Sequence, residues 1–279
     1  MLSYQHSFHA GNFADVHKHT ILLDVFRYLQ RKNSAITFYD THAGRGWYDL
    51  DGVDANKTGE YLDGINRLNA DHDHPEAVAK YLNLVRDITG GAGDSYPGSP
   101  MLVADQLRDQ DELHLAEAHP GEFEQLRELL KNIDPIHIHE RDGFEMIKGL
   151  FPPPTPRGMI LIDPSYEQKE EYQWVAKCVK GAYRRWQKAV CVVWYPLLPA
   201  NNHLKMIDEL SQAGLPPMIR SEISVRDPEG ERGMYGSGML IINPTYSLVQ
   251  EGEEWLKALA ESLSDEGKSS FKIIGEERL

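Results

Sequence analysis

The chain has 279 residues, longer than one ordinary domain and too short for two full ones, which predicts one core carrying an insertion. Its 41% hydrophobic and 26% charged residues are enough for a packed core and exclude wholesale disorder. A net charge of -14 argues against a broadly basic nucleic-acid-binding face, favours a soluble enzyme with a small substrate, and leaves nucleic acid only a local patch.

No apolar run reaches the length of a bilayer span. The start MLSYQHSFHAGN lacks a basic region followed by an apolar stretch, so no signal peptide is expected. The only cysteines, Cys178 and Cys191, have the wrong spacing for a metal knuckle and form no CxxC pair. A reducing, cytoplasmic setting is the expectation.

In chain order, residues 1 to 19 mix small, aromatic and His residues without a period and read as a structured loop. From about Val16 the pattern turns helical, with Ile21, Val25 and Leu29 four residues apart and basic residues near the end. AITFYD is strand-like and is followed by the small-residue turn THAGRGWY. Residues 51 to 97 read as two helices around the polar DHDHP, with no strand, and form a small helical insertion. Alternation then resumes: SPMLVADQLR helix, ELHLAE strand, GEFEQLRELLKN helix, IHIHE strand, FEMIKGL helix and GMILID strand. A long helix from about Lys169 to Trp186 precedes the buried strand AVCVVWYPL, and NNHLKMIDELSQAGL is a further helix. SEISVRD and GMLIIN form a closing hairpin, and a polar tail runs from about Asp265. The expected architecture is α/β, a mostly parallel sheet covered on both faces with a terminal antiparallel hairpin. Residues 1–50 and 98–264 make the main domain, 51–97 the insertion and 265–279 the tail.

In open doubly wound sheets, ligands bind beyond the carboxyl ends of the strands. After the first strand come Asp40, Thr41, His42, Ala43, Gly44, Arg45 and Gly46, two glycines without the G-x-G-x-x-G of a dinucleotide site. Glu117 ends the second strand, where a carboxylate can accept from both hydroxyls of a ribose. Asp142 and Gly143 follow the third, where a carboxylate can accept from an adenine amine. Any one of these acids alone is more simply a helix cap; three strands in a row ending this way favour a ligand-binding row.

Asp163-Pro164-Ser165-Tyr166 follows the fourth strand. The N6 amine of adenine is a poor nucleophile because its lone pair is delocalised into the ring. A carboxylate and a main-chain carbonyl can hold its hydrogens, proline keeps the turn extended, and an aromatic ring can stack on the base. The competing explanation is an ordinary Asp-Pro turn. Asn243-Pro244-Thr245-Tyr246 follows another strand-like run but should end away from the ligand row.

His6, His9, His17, His19 and His42 make a metal site the obvious rival, although H-x-x-H in a loop is no firm ligand spacing. Lys18 could instead contact a phosphate or a ligand carboxylate. Arg184, Arg185 and Lys188 read as a solvated helix face.

The segments YQHSFHAGNFADVHKH, DTHAGRGWY, YPGSP, EAHP, IDPSYE and GMYGSGMLIINP, in that order to about residue 246, resemble the bacterial ribosomal RNA large subunit methyltransferase J family. The resemblance implies a Rossmann-like class I methyltransferase that uses S-adenosylmethionine to methylate N6 of one adenine in 23S ribosomal RNA. It implies Asp163 as catalytic proton acceptor, in a turn with Pro164 and Tyr166, and His19, His42, Ser99, Glu117, Asp142 and Gly143 around the donor. Tyr4, His6 and Lys18 would lie near the target base or its phosphates. Ser165 stands where the family turn has a second proline, and Ala118 where a leucine is more usual. No metal is implied. The expected partner is 23S ribosomal RNA, with neither DNA nor a membrane; a monomer is favoured, with the oligomeric state left open. Two alternatives are a nucleoside- or RNA-binding module without catalysis and a His-dependent metalloenzyme.

Overall fold

The computed structural model describes residues 4–68, 73–131, 133–227 and 233–275. Helix α1 (Phe13–Gln30) starts three residues before the expected Val16. Asn12 is the cause: its side chain accepts the N–H groups of Ala14 and Asp15, both at 2.9 Å, and closes the first turn. Strand β1 (Thr37–Asp40) follows, buried at every residue. Next come β2 (Trp47–Asp49), α2 (Val53–Thr58), α3 (Glu76–Thr89), β3 (Ser95–Pro97) and α4 (Ser99–Asp105).

The stretch 51–97 therefore does contain a strand, contrary to expectation: β3 pairs antiparallel with β2, Tyr48 opposite Tyr96. Three-residue strands carry too little periodicity to register in the sequence. On α3, Val78, Tyr81, Leu82, Leu84 and Val85 join the same apolar core as α1 and the sheet. The segment thus shares the main core rather than building its own.

The alternation beyond it is β4 (Glu112–Glu117), α5 (Pro120–Leu130), β5 (Ile136–Glu140), α6 (Gly143–Leu150), β6 (Gly158–Ile162), α7 (Glu171–Tyr183), β7 (Ala189–Leu197) and α8 (His203–Ser211). Strands β8 (Met218–Ser224) and β9 (Gly236–Ile242) form the expected antiparallel pair. Two differences follow it. Helix α9 (Tyr246–Leu263), absent from the sequence reading, buries Leu248, Trp255, Leu256, Leu259 and Leu263. Where a polar tail was expected from Asp265, Lys268–Ile274 form β10, antiparallel to β8. Its polar composition suits an exposed sheet edge, which lysines protect from further pairing. Residues 276–279 lie outside the described residues.

The sheet order is β10-β8-β9-β7-β6-β1-β4-β5. Strands β5, β4, β1, β6 and β7 are parallel, and β9 enters antiparallel between β7 and β8. The chain leaves β1 towards both sides, so the crevice at the carboxyl ends of β1 and β6 is the topological switch point. Among the described residues no helix is long and apolar enough to cross a membrane.

Candidate active site

A cavity of about 540 Å³ opens at that switch point, within the size range of small-ligand sites. All twelve residues that the family resemblance assigns to the site line it: Tyr4, His6, Lys18, His19, His42, Ser99, Glu117, Asp142, Gly143, Asp163, Pro164 and Tyr166. The Asn243-Pro244-Thr245-Tyr246 turn does not. β9 runs antiparallel to β7, so its carboxyl end lies beside Cys191, near the opposite end of the sheet.

On the β1 side, Gly44 adopts φ +64°, and a Cβ there would run into the Tyr48 hydroxyl, so this turn favours glycine. The Gly44 N–H donates to Glu117 Oε2 at 2.8 Å, and the His119 N–H donates to Oε1 at 2.7 Å. Burial nevertheless pushes the Glu117 carboxyl above its ordinary value. Asp142 caps α6, accepting from the Glu145 N–H at 3.0 Å. A Cβ on Gly143 would lie 2.0 Å from the Thr41 carbonyl oxygen, so glycine lets α6 abut the β1 turn. His42 meets Phe144 edge-on at 5.3 Å between ring centres, and burial pushes it down to about 4, leaving a neutral ring. His19 lies within 2.6 Å of the Tyr96 hydroxyl, and burial pushes it down to about 3. These groups form a backbone-rich wall with neutral His rings and two carboxylates, Glu117 at the end of β4 and Asp142 after β5. That donor set fits a nucleoside with a diol.

On the β6 side the charges are concentrated. Lys18 Nζ donates to Asp163 Oδ2 at 2.5 Å and lies 2.9 Å from Asp15 Oδ1. Burial alone would lower the Lys18 ammonium, but Asp15 and Asp163 outweigh it and hold the group well above its ordinary range. Asp15 Oδ2 accepts from the Gly11 N–H at 2.9 Å and pairs with His6 Nε2 at 2.8 Å; the Tyr4 hydroxyl meets His6 Nδ1 at 2.8 Å. The result is a continuous chain Tyr4–His6–Asp15–Lys18–Asp163. Lys18, expected from sequence near RNA or the donor carboxylate, has two carboxylates of the protein itself as close partners.

Tyr166 sits at φ +54°, a left-handed conformation costly for a bulky residue. Its hydroxyl donates to the Trp194 carbonyl at 2.7 Å and its ring leans on Tyr172 at 4.3 Å, which holds it as a fixed wall of the cavity.

Three supporting residues had no role assigned from sequence. Asp15 is 1% exposed and organises His6 and Lys18; from sequence, Asp15 and Lys18 are only an i,i+3 pair on a helix. Asp40 is fully buried and accepts from the Ser99 hydroxyl at 2.6 Å and the His42 N–H at 3.1 Å. Burial pushes its carboxyl up to about 6, against the pull of those two bonds. Trp194 of β7 lines the cavity and donates from Nε1 to Ser237 Oγ at 3.0 Å. Of the His residues considered for a metal, His17 is instead in the core, bonded to Ser237 and Ser221 at 3.0 Å each.

The family model described as "Ribosomal RNA large subunit methyltransferase D, RlmJ" matches residues 33–274. The chain belongs to this family. Two curated relatives named ribosomal RNA large subunit methyltransferase J are similar throughout. The Haemophilus influenzae protein is 36% identical over 275 residues, 98% of each chain. The Escherichia coli protein is 39% identical over 252 residues, 90% of each chain. Among solved structures, protein LPL1258 of Legionella pneumophila superimposes with a TM-score of 0.89 at 33% identity, covering 96% of this chain and 99% of its own. As a member of the family the chain is a methyltransferase of large-subunit ribosomal RNA, and its methyl donor is S-adenosylmethionine.

Proposed function

We propose that the chain methylates the N6 amine of one adenine in 23S ribosomal RNA, acting in the cytoplasm. The observation that carries this reading is the Asp163–Tyr166 turn, which ends β6 inside the same cavity as Glu117, Asp142 and Gly143. The bound donor would supply an electrophilic methyl group on a sulfonium sulfur, which would depart as a neutral thioether when the methyl–sulfur bond breaks. Glu117 is suited to accept from the ribose hydroxyls, and its two backbone bonds fix its direction. Asp142 and Gly143 are suited to the purine edge, and His19, His42 and Ser99 to the rest of the donor cradle.

For the target base, Lys18 engages Asp163 Oδ2 and leaves Oδ1 to accept one hydrogen of the amine. The Pro164 carbonyl accepts the other. Holding both hydrogens draws the nitrogen towards a tetrahedral shape and frees its lone pair. Once the N–C bond forms, the amine carries one proton too many, and Asp163 Oδ1 is placed to take it. Tyr166, pinned to Trp194, offers its ring to the extruded base. Tyr4 and His6, linked to Asp163 through Asp15 and Lys18, form the opposite lip of the base site. Because the accepting carbonyl belongs to Pro164, Ser165 leaves this chemistry intact.

The test is methyl transfer by purified protein to 23S ribosomal RNA, followed by digestion to nucleosides. N6-methyladenosine at one position is expected. Donor binding with no transfer, or a methyl group on a ribose or a pyrimidine, would overturn the reading.

A further inference from the structure

The cavity presents a substrate problem that its own charges do not solve. Among the described lining residues there are seven carboxylates and one ammonium, Lys18, with no guanidinium. That ammonium is already held by Asp15 and Asp163. Phosphate attraction, the usual source of RNA affinity, therefore has no free cation on this wall. Base stacking is the contact an acidic rim can still offer, because the face of a nucleobase carries no formal charge.

Of the large apolar side chains that the described structure leaves exposed, only Tyr4 and Trp174 also line the cavity. Tyr4 already stacks on His9, with ring centres 5.5 Å apart. Trp174 is 43% exposed. It stands on α7, one turn beyond Glu171, and the Glu171 carboxylate accepts from the Gln168 N–H at 3.1 Å. That bond ties the start of α7 to the segment leaving the Asp163–Tyr166 turn. A tryptophan held in this place, partly open to solvent and lining the cavity, offers an accessible ring on which a nucleobase can stack.

We infer that Trp174 is a stacking platform for a nucleotide flanking the target adenine, so that RNA is gripped at the mouth by a π-face while the target base enters. The inference rests on the adenine-methylating reading above. It assigns Trp174 to the neighbour of the target base, not to the base itself.

The experiment measures steady-state transfer to 23S ribosomal RNA by the unmodified protein, Trp174→Ala and Trp174→Phe, with free adenosine as competitor at saturating S-adenosylmethionine and donor affinity measured in parallel. Loss of one base-stacking contact corresponds to a rise of about 5- to 150-fold in KM for RNA. Trp174→Ala should show that rise with kcat and donor affinity unchanged. Trp174→Phe should recover most of it, and inhibition by adenosine should be the same in all three. An unchanged KM in Trp174→Ala overturns the inference. So does equal damage in both variants with falling donor affinity, which marks a purely structural role. Weakened adenosine inhibition would place Trp174 on the target base and also overturn it. Absence of transfer by the unmodified protein ends the underlying reading itself.

Discussion

Replacing Lys18 with methionine keeps most of the stem volume and removes the ammonium from between Asp15 and Asp163. Removing one partner of a buried ion pair costs about 3–5 kcal/mol when the remaining charge is fully stranded. Here the stranding is partial. Asp15 is 1% exposed but keeps His6 and the Gly11 N–H, and the Asp163 side chain is 15% exposed. The expected loss is therefore about 2–3 kcal/mol near neutral pH, a fall of about 4–12 °C in Tm. The loss should depend on pH. In the unmodified protein, burial would raise the Asp15 carboxyl, but His6 and Lys18 hold it well below its ordinary value of 3.8. Its contribution is present above that value and is lost as pH falls through it towards the folded-state value. Without Lys18, burial is less opposed, the carboxyl protonates at higher pH, and the deficit should narrow on acidification. Urea unfolding at about pH 8 and about pH 3 measures both quantities. A loss under about 1 kcal/mol near neutral pH, or an equal deficit at both pH values, would refute the idea that Lys18 holds the two carboxylates together.

Two further outcomes follow from individual contacts. Glu117→Gln replaces an oxygen that accepts a backbone N–H with an amide group that repels it, so the Kd for S-adenosylmethionine should rise by about 10- to 100-fold by calorimetry; an unchanged Kd would remove Glu117 from the donor site. Burial first, then His137 and His139, push His114 down to about 4, in a stack that also includes Tyr39, with Glu112 alongside. Stability from keeping this ring neutral is present above its ordinary value of 6.5 and is lost as pH falls towards 4. His114→Phe, which preserves the stack on Tyr39, should flatten the acid side of a Tm-against-pH curve; an unaltered slope would count against it.

The parts of the fold that could be read in advance are those whose burial is written locally. GMILI reads as a buried strand because it is an unbroken apolar run, the structure encloses all five residues, and Asp163 follows directly. Glu117 and Asp142 could be found the same way, from strands whose ends the ligand crevice gathers. Position alone did not reveal what those side chains touch. Tyr166 reads as a stacking ring, but its bond to the Trp194 carbonyl, 28 residues away, depends on β6 and β7 being neighbours. Lys18 reads as a ligand contact, but its ion pairs with Asp15 and Asp163 depend on α1 meeting the turn after β6, 145 residues away. The early start of α1 depends on one capping asparagine, which the apolar period does not report. β10 escaped notice because an edge strand shielded by lysine and serine has the composition of a tail.

The most direct measurement is nucleoside analysis of 23S ribosomal RNA after incubation with the unmodified protein and with Asp163→Asn, alongside donor affinity for both. The side chain keeps its shape and loses its capacity to hold the outgoing proton. The expected result is at least about 100-fold less N6-methyladenosine from the variant, with donor Kd within about 3-fold of the unmodified value. Near-normal N6-methyladenosine from Asp163→Asn would contradict the assignment of the β6 turn as the place where the amine is activated.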